Sequence, residues 1–149
     1  MADAPHPTLI RPVLESEIPK VIELWALCGL PTRPCGRDSP QALGRQLSLP
    51  TTHLLGAYQG GRLVGVVLGN HEGRKGWINR LAVLPGMRRV GIARQLVAAA
   101  ENRLRADGMP VVGALVEADN PGSLAFFRRL GFALHPEVHY LSKRESPDA

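Results

Sequence analysis

Apolar positions along the chain shift between a period of two and a period near four, and each shift marks an element. A short β-like run, residues 8–13, comes first. Ser16 is placed to cap a helix with Glu17 in its first turn. Ile18, Val21, Ile22, Trp25 and Cys28 follow at spacings of three and four, so this helix buries one face. Residues 29–38, GLPTRPCGRD, form an irregular loop, and Ser39-Pro40 starts a second helix that runs to about Leu49. A hairpin follows, with strands 53–59 and 62–72 around Gly60-Gly61. A third strand of this meander, 77–84, is stopped by Pro85-Gly86. Ile92, Leu96, Ala100 and Leu104 then repeat every four residues, and Gly108 stands where a helix ends. Residues 110–118 are a largely apolar strand, as expected when both faces are covered. Asn120-Pro121 opens a last helix that Gly131 closes, and residues 132–143 supply one or two closing strands. The order β α α β β β α β α β(β) predicts one α/β domain over residues 1–149, with a mixed sheet and no repeat or linker.

Composition fits that picture. With 149 residues, 44% hydrophobic and 21% charged, the chain is an ordinary globular domain. No apolar run reaches the roughly 20 residues that cross a bilayer, and the start lacks the pattern of a secretory signal. Cys28 and Cys35 build no disulfide framework, and the histidines have no zinc spacing. A reduced, cytoplasmic protein without metal or membrane contact is the expectation. The net charge of +5 is unevenly spread: residues 74–105 hold eight basic residues and one acid, a balance of +7 against −2 elsewhere. That local charge points to an anionic partner, a phosphorylated small molecule or nucleic acid. Nucleic acid is the weaker alternative, because aromatics are only 5% and the arginines surround a tight turn.

That turn is the sharpest feature: Leu81-Ala82-Val83-Leu84-Pro85-Gly86-Met87-Arg88-Arg89-Val90-Gly91-Ile92-Ala93. A glycine-rich basic turn before a helix aims unpaired N–H groups, at the positive end of the helix dipole, at one spot that suits phosphate. The competing reading is a basic surface loop. No Gly-Lys-Ser/Thr follows, so it is not a nucleoside-triphosphate loop, and it lacks the glycine pair of a dinucleotide fold.

Arg88-x-x-Gly91-x-Ala93, after Leu81-Ala82-Val83-x-Pro85, resembles the coenzyme A loop of the GNAT superfamily, the acyl-CoA-dependent N-acetyltransferases. Asn120-Pro121-Gly122-Ser123-Leu124-Ala125-Phe126-Phe127 with Gly131-Phe132 resembles that family's Asn-led helix. The resemblance implies a mostly antiparallel sheet of six to seven strands with about four helices, its fourth and fifth strands parallel and splayed. It implies acetyl-CoA as co-substrate. Leu81, Ala82 and Val83 would meet the pantetheine arm, and Arg88, Arg89, Val90, Gly91, Ile92 and Ala93 would cradle the pyrophosphate. Arg94 would reach the ribose phosphate, and Asn120, Ser123, Phe126 and Phe127 would complete the donor site. For Asn120, capping is the role the residues themselves supply.

The resemblance has gaps. The family often has a tyrosine at the Phe127 position to protonate the leaving thiolate, and strands 77–84 and 110–116 carry no Asp, Glu or His. Tyr140 as acid and Glu117 as base are the first replacements, with Asn79 orienting a water; His139 and Glu72 are further candidates. The loop with Arg33, Arg37 and Asp38 would wall the acceptor, reading a carboxylate and an ammonium. The expected activity is acetyl transfer to a primary amine of a small molecule, amino acid or peptide, in a possible homodimer. A non-catalytic acyl-CoA binding domain is the alternative.

Overall fold

The computed structural model describes residues 6–88 and 91–149. Its elements are β1 (Leu9–Pro12), α1 (Ile18–Leu27), α2 (Pro40–Leu47), β2 (Thr52–Gln59), β3 (Arg62–His71), β4 (Gly76–Val83), α3 (Ile92–Ala106), β5 (Val112–Ala114) and α4 (Pro121–Arg129). The strands form one sheet in the order β1-β2-β3-β4-β5. The first four are antiparallel to their neighbours, and β5 runs parallel to β4.

Side-chain alternation explains the layers. On β3, Gly65 and Gly69 meet Leu96 and Ala100 of α3. The intervening Val66 and Leu68 therefore point to the other face, where α1 packs. With both faces covered, β3 is buried along most of its length. Val21 and Trp25 of α1 and Leu96, Ala100 and Leu104 of α3 are sealed from solvent. The four-residue period seen from Ile92 to Leu104 is the stripe that seats α3.

Three expectations need correction. The described residues form five strands: residues 132–143 carry no strand, and apart from Phe132 N–H closing on the Phe127 carbonyl their backbone bond is a turn, Val138 N–H to the His135 carbonyl, around Pro136. Proline lacks the N–H a ladder needs, so the segment stays off the sheet, leaving Tyr140 70% and Leu141 88% exposed. The fifth strand is also shorter than 110–118, pairing only over Val112–Ala114. Ser16 does not cap α1; it lies within a 3-10 turn, Glu15–Glu17, and Glu17 takes the cap position while binding Arg11 and the Leu14 N–H.

The far end of α3 is tied down by Asp107. Its Oδ2 lies 2.6 Å from His53 Nε2 and 3.2 Å from His71 Nε2. His71 Nδ1 accepts the Gly73 N–H at 3.0 Å, so its proton sits on Nε2, facing the carboxylate. The His53 hydrogen bond, chiefly, holds the Asp107 carboxyl below its ordinary range, against a smaller effect of burial. A depressed carboxylate stabilises the fold above its unfolded value, near ~4, and that contribution fades as pH falls through the folded value. Asp107→Ala is expected to cost about 1–3 kcal/mol at neutral pH and much less in acid, as read from urea midpoints across pH.

Candidate functional site

Two features of β4 create the site. Toward its start, β4 pairs with β5 only from Gly76 to Ile78. Beyond that the two parallel strands part, and the edge of β4 facing β5 has no strand partner among the described residues. On the other edge, Val66 faces Ala82 while Leu68 faces Asn79, so three β4 steps match two on β3. The extra residue makes a bulge, and Arg80 sits in it with φ +54°. A left-handed residue other than glycine stores strain of order 1 kcal/mol or more, held here by its neighbours. After the bulge, the Val83 carbonyl accepts the Cys28 thiol at 3.3 Å and Arg88 Nε at 3.2 Å. Burial pushes the Cys28 thiol up, partly opposed by the charge of Arg88.

A 3-10 turn, Pro85–Met87, leads from β4 toward α3. Gly91 takes the N-cap position with φ +83°, a conformation that favours glycine, and no side chain caps it. Gln95 N–H is the first to close on the Gly91 carbonyl, at 3.1 Å. The N–H groups of Ile92, Ala93 and Arg94 thus have no intrahelical acceptor, and no acid stands in the first turn. This is the open, positive helix end that the sequence suggests. Arg88 and Arg94 are exposed beside it, while Arg89 and Val90 lie outside the described residues.

The start of α4 is built differently. Asn120 Oδ1 accepts the Ser123 N–H at 3.1 Å, with Pro121 at the first position. That satisfies the cap role. Phe127 is 8% exposed and meets Phe126 and Phe132 edge-on at 5.2 and 5.1 Å. Its ring closes the core and offers no proton.

The loop between α1 and α2 leans on the bulge. Arg80 Nη1 donates to the Pro31 carbonyl at 2.6 Å, and the guanidinium lies 4.4 Å over the Trp25 ring. Nη2 is 3.7 Å from Asp38 Oδ1, an ion pair too long for a hydrogen bond. Asp38 is only 6% exposed, and its Oδ2 accepts the Arg33 N–H at 2.7 Å. Arg80 Nε and Nη2 find no hydrogen-bond partner among the described residues. Burial pulls the Arg80 guanidinium down, Asp38 opposes that, and nearby Arg37 adds to it.

Sequence reasoning missed Arg80, counting it only among eight basic residues. The usable signal was its place as the single charge inside the apolar run of β4, WINRLAV. Of the residues proposed for the acceptor, the structure brings Asp38 and the Arg33 backbone to Arg80. Asn79, expected to orient a water, donates instead to Asn70 Oδ1 at 2.9 Å across β3 and β4. Glu117 is exposed in the turn before α4, and Tyr140 stands in the strandless tail; neither side chain makes a hydrogen bond among the described residues. The basic segment also divides. Arg105 binds the Met109 and Pro110 carbonyls at the far end of α3, leaving Arg88 and Arg94 at its start.

Comparison with known proteins identifies the family and the fold. The sequence model of the Acetyltransferase (GNAT) family matches residues 19–132. The chain is 31% identical over 135 residues to acetyltransferase SG1711 of Sodalis glossinidius, covering 91% of this chain and 94% of that one. In fold it is similar to the aminoglycoside N-acetyltransferase AAC(6')-Iy in complex with CoA, at TM-score 0.78 and 20% identity over 97% of this chain and 99% of that one. It is also similar to the PaiA N-acetyltransferase of Thermoplasma acidophilum in complex with coenzyme A, at TM-score 0.75 and 19% identity over 87% and 91%. The chain thus shares its overall fold with these acetyltransferases, and it belongs to the GNAT acetyltransferase family.

Proposed function

We propose that this protein transfers an acetyl group from acetyl-CoA to the primary amine of a small molecule, an amino acid or a peptide, by direct attack in a ternary complex. The observation that carries the reading is the uncapped start of α3 beside the open edge of β4. Three N–H groups without an intrahelical acceptor, at Ile92, Ala93 and Arg94, with Arg88 and Arg94 alongside, suit a pyrophosphate and a ribose phosphate. The free edge around Leu81–Val83 suits an extended amide-bearing arm lying as an added strand. Coenzyme A offers both kinds of group, and the CoA complexes of the two neighbours support the assignment.

Acetyl-CoA supplies the activated thioester. The amine nitrogen bonds to the carbonyl carbon, the carbon–sulfur bond breaks, the amine releases one proton and the thiolate takes one up. This chain contributes backbone N–H groups near Val83 to polarise the carbonyl and a fixed geometry for the two reactants. Positioning alone supplies as much as roughly 7–11 kcal/mol in favourable cases. Phe127 has no proton to give, so protonation falls to solvent or to Tyr140, and the amine proton leaves through water or Glu117.

Calorimetry with acetyl-CoA, then thiol release across a panel of amines, tests this reading. Binding followed by amine-dependent thiol release is expected. Failure to bind at millimolar acetyl-CoA sinks the proposal. Binding without release for any amine favours the acyl-CoA binding domain instead.

A further inference from the structure

A left-handed bulge residue is commonly glycine, yet position 80 carries an arginine at φ +54°, alone in that region among the described residues other than glycine. Such a residue persists only when its surroundings hold it. Its guanidinium reaches three separate segments: the Trp25 ring of α1, the Pro31 carbonyl near the start of loop 29–38, and Asp38 at the end of that loop. Nε and Nη2 are sealed from solvent without a hydrogen-bond partner, so the group serves contacts inside the chain and not a ligand from solution.

The loop depends on that contact. Its own bonds are internal: Asp38 Oδ2 accepts the Arg33 N–H at 2.7 Å, and the Gly36 and Asp38 N–H groups donate to the Arg33 carbonyl at 2.9 and 3.1 Å. On its outer side, Gly36 lies against the backbone of Asp148 and Ala149, which ties the loop to the tail. Among the described residues, the one hydrogen bond from residues 29–38 to the sheet is Arg80 to Pro31. Arg80 in turn directly precedes Leu81–Val83, the free edge proposed for the arm of the donor. Cys28, at the root of the loop, meets the same edge at the Val83 carbonyl.

From this we infer that Arg80 is a positioning residue: its guanidinium clamps loop 29–38 onto the bulge of β4 and so fixes the wall of the acceptor against the strand that holds the donor. The inference rests on the transferase reading above. Attack on the thioester needs the amine about 3–3.5 Å from the carbonyl carbon, and a misplacement of roughly 1 Å costs on the order of 100-fold in rate. A loop anchored one residue before the donor's edge keeps that distance constant.

The test measures amide exchange, acetyl-CoA affinity and amine turnover on the full chain, on Arg80→Gly and on Arg80→Lys. Glycine keeps the left-handed bulge and removes the side chain; lysine keeps the charge and a donor for Pro31 but loses the planar fork over Trp25. In Arg80→Gly, exchange at the Arg33, Gly36 and Asp38 amides is expected to quicken at least about tenfold. For the panel amine that the parent uses fastest, kcat/KM should fall at least about tenfold, while the acetyl-CoA Kd stays within about twofold. Arg80→Lys should recover part of both losses. A purely structural role would weaken donor binding along with turnover, so an acetyl-CoA affinity that falls as far as kcat/KM would overturn the inference. A loop as protected as in the parent, or a loosened loop with parental kcat/KM, would overturn it too. If Arg80→Gly does not fold, Arg80→Lys decides, and parental exchange and turnover in that variant reject the clamp. Exchange needs no turnover and keeps the two readings apart. A parent that acetylates no amine fails the transferase reading, and the clamp then stands or falls on whether Arg80→Gly loosens the loop.

Discussion

Gly91→Leu is expected to yield a folded protein whose affinity for acetyl-CoA is lower by about 100-fold or more. Two effects act at this position and they differ in size. The first is local strain: at φ +83° an L-residue costs roughly 1–2 kcal/mol, a tolerable fraction of the ~5–15 kcal/mol of a typical domain. Among the described residues a Cβ at Gly91 would meet nothing within 4 Å. The second is loss of approach. The free N–H groups of Ile92, Ala93 and Arg94 open directly after Gly91, and an isobutyl group at the cap position stands in the way of a phosphate. Each charge-assisted bond to such an N–H is worth about 1.5–3 kcal/mol, so losing two accounts for the expected drop. Gly91→Ala separates the effects, because it carries the same φ strain with little bulk. A thermal melt and an acetyl-CoA titration on both variants decide the matter. Gly91→Leu folded with unchanged affinity would move the donor phosphates elsewhere.

What the sequence made legible was local, and what it hid was made by pairing between distant segments. The stripe Ile92, Leu96, Ala100, Leu104 is read directly from spacing, and each of these side chains is buried. Gly91 and the Asn120–Pro121 cap are equally local, set by φ and by one side-chain bond. The bulge is different. It exists only because β4 pairs with β3 over three residues against two, and a one-residue mismatch leaves no mark on the period of either strand. Arg80 acquires its role from that bulge and from Pro31, 49 residues away. The tail shows the converse. Phe132, Leu134, Val138 and Tyr140 have a strand's composition, yet with a turn at Pro136 they meet no partner edge. The charge count misleads for the same reason: Arg88 and Arg105 are near in sequence but serve opposite ends of α3.

On the proposed reading α3 holds the donor's phosphates and β4 its extended arm, so their contact should govern both stability and binding, and Gly65 is where a Cβ would crowd that contact. A Cβ there would come within 3.0 Å of Leu96 Cδ1, 3.2 Å of the Ala82 carbonyl oxygen and 3.3 Å of Ile92 Cγ2. Leu96 can turn aside, but the Ala82 oxygen belongs to the strand backbone just past the bulge, and Ile92 is the first residue of α3. Gly65→Val adds two methyl groups beyond that crowded point. Overpacking of this kind costs about 1–3 kcal/mol, while replacing a strand glycine returns only roughly 0.5–1 kcal/mol, so destabilisation wins. The net loss of about 1 kcal/mol should lower Tm by roughly 2–4 °C. Lifting Ile92 off the sheet also displaces the three free N–H groups from the end of β4, so acetyl-CoA affinity should fall about tenfold. Gly69→Ala is the matched control on the same strand face. Its Cβ would meet Ala100, Leu104 and the His53 carbonyl at 3.6–3.7 Å, ordinary contact, and it pairs with Ile78 on the other side of the bulge. That variant should melt no lower than the parent and bind acetyl-CoA equally. Parental affinity in a destabilised Gly65→Val protein would show that the start of α3 does not hold the donor.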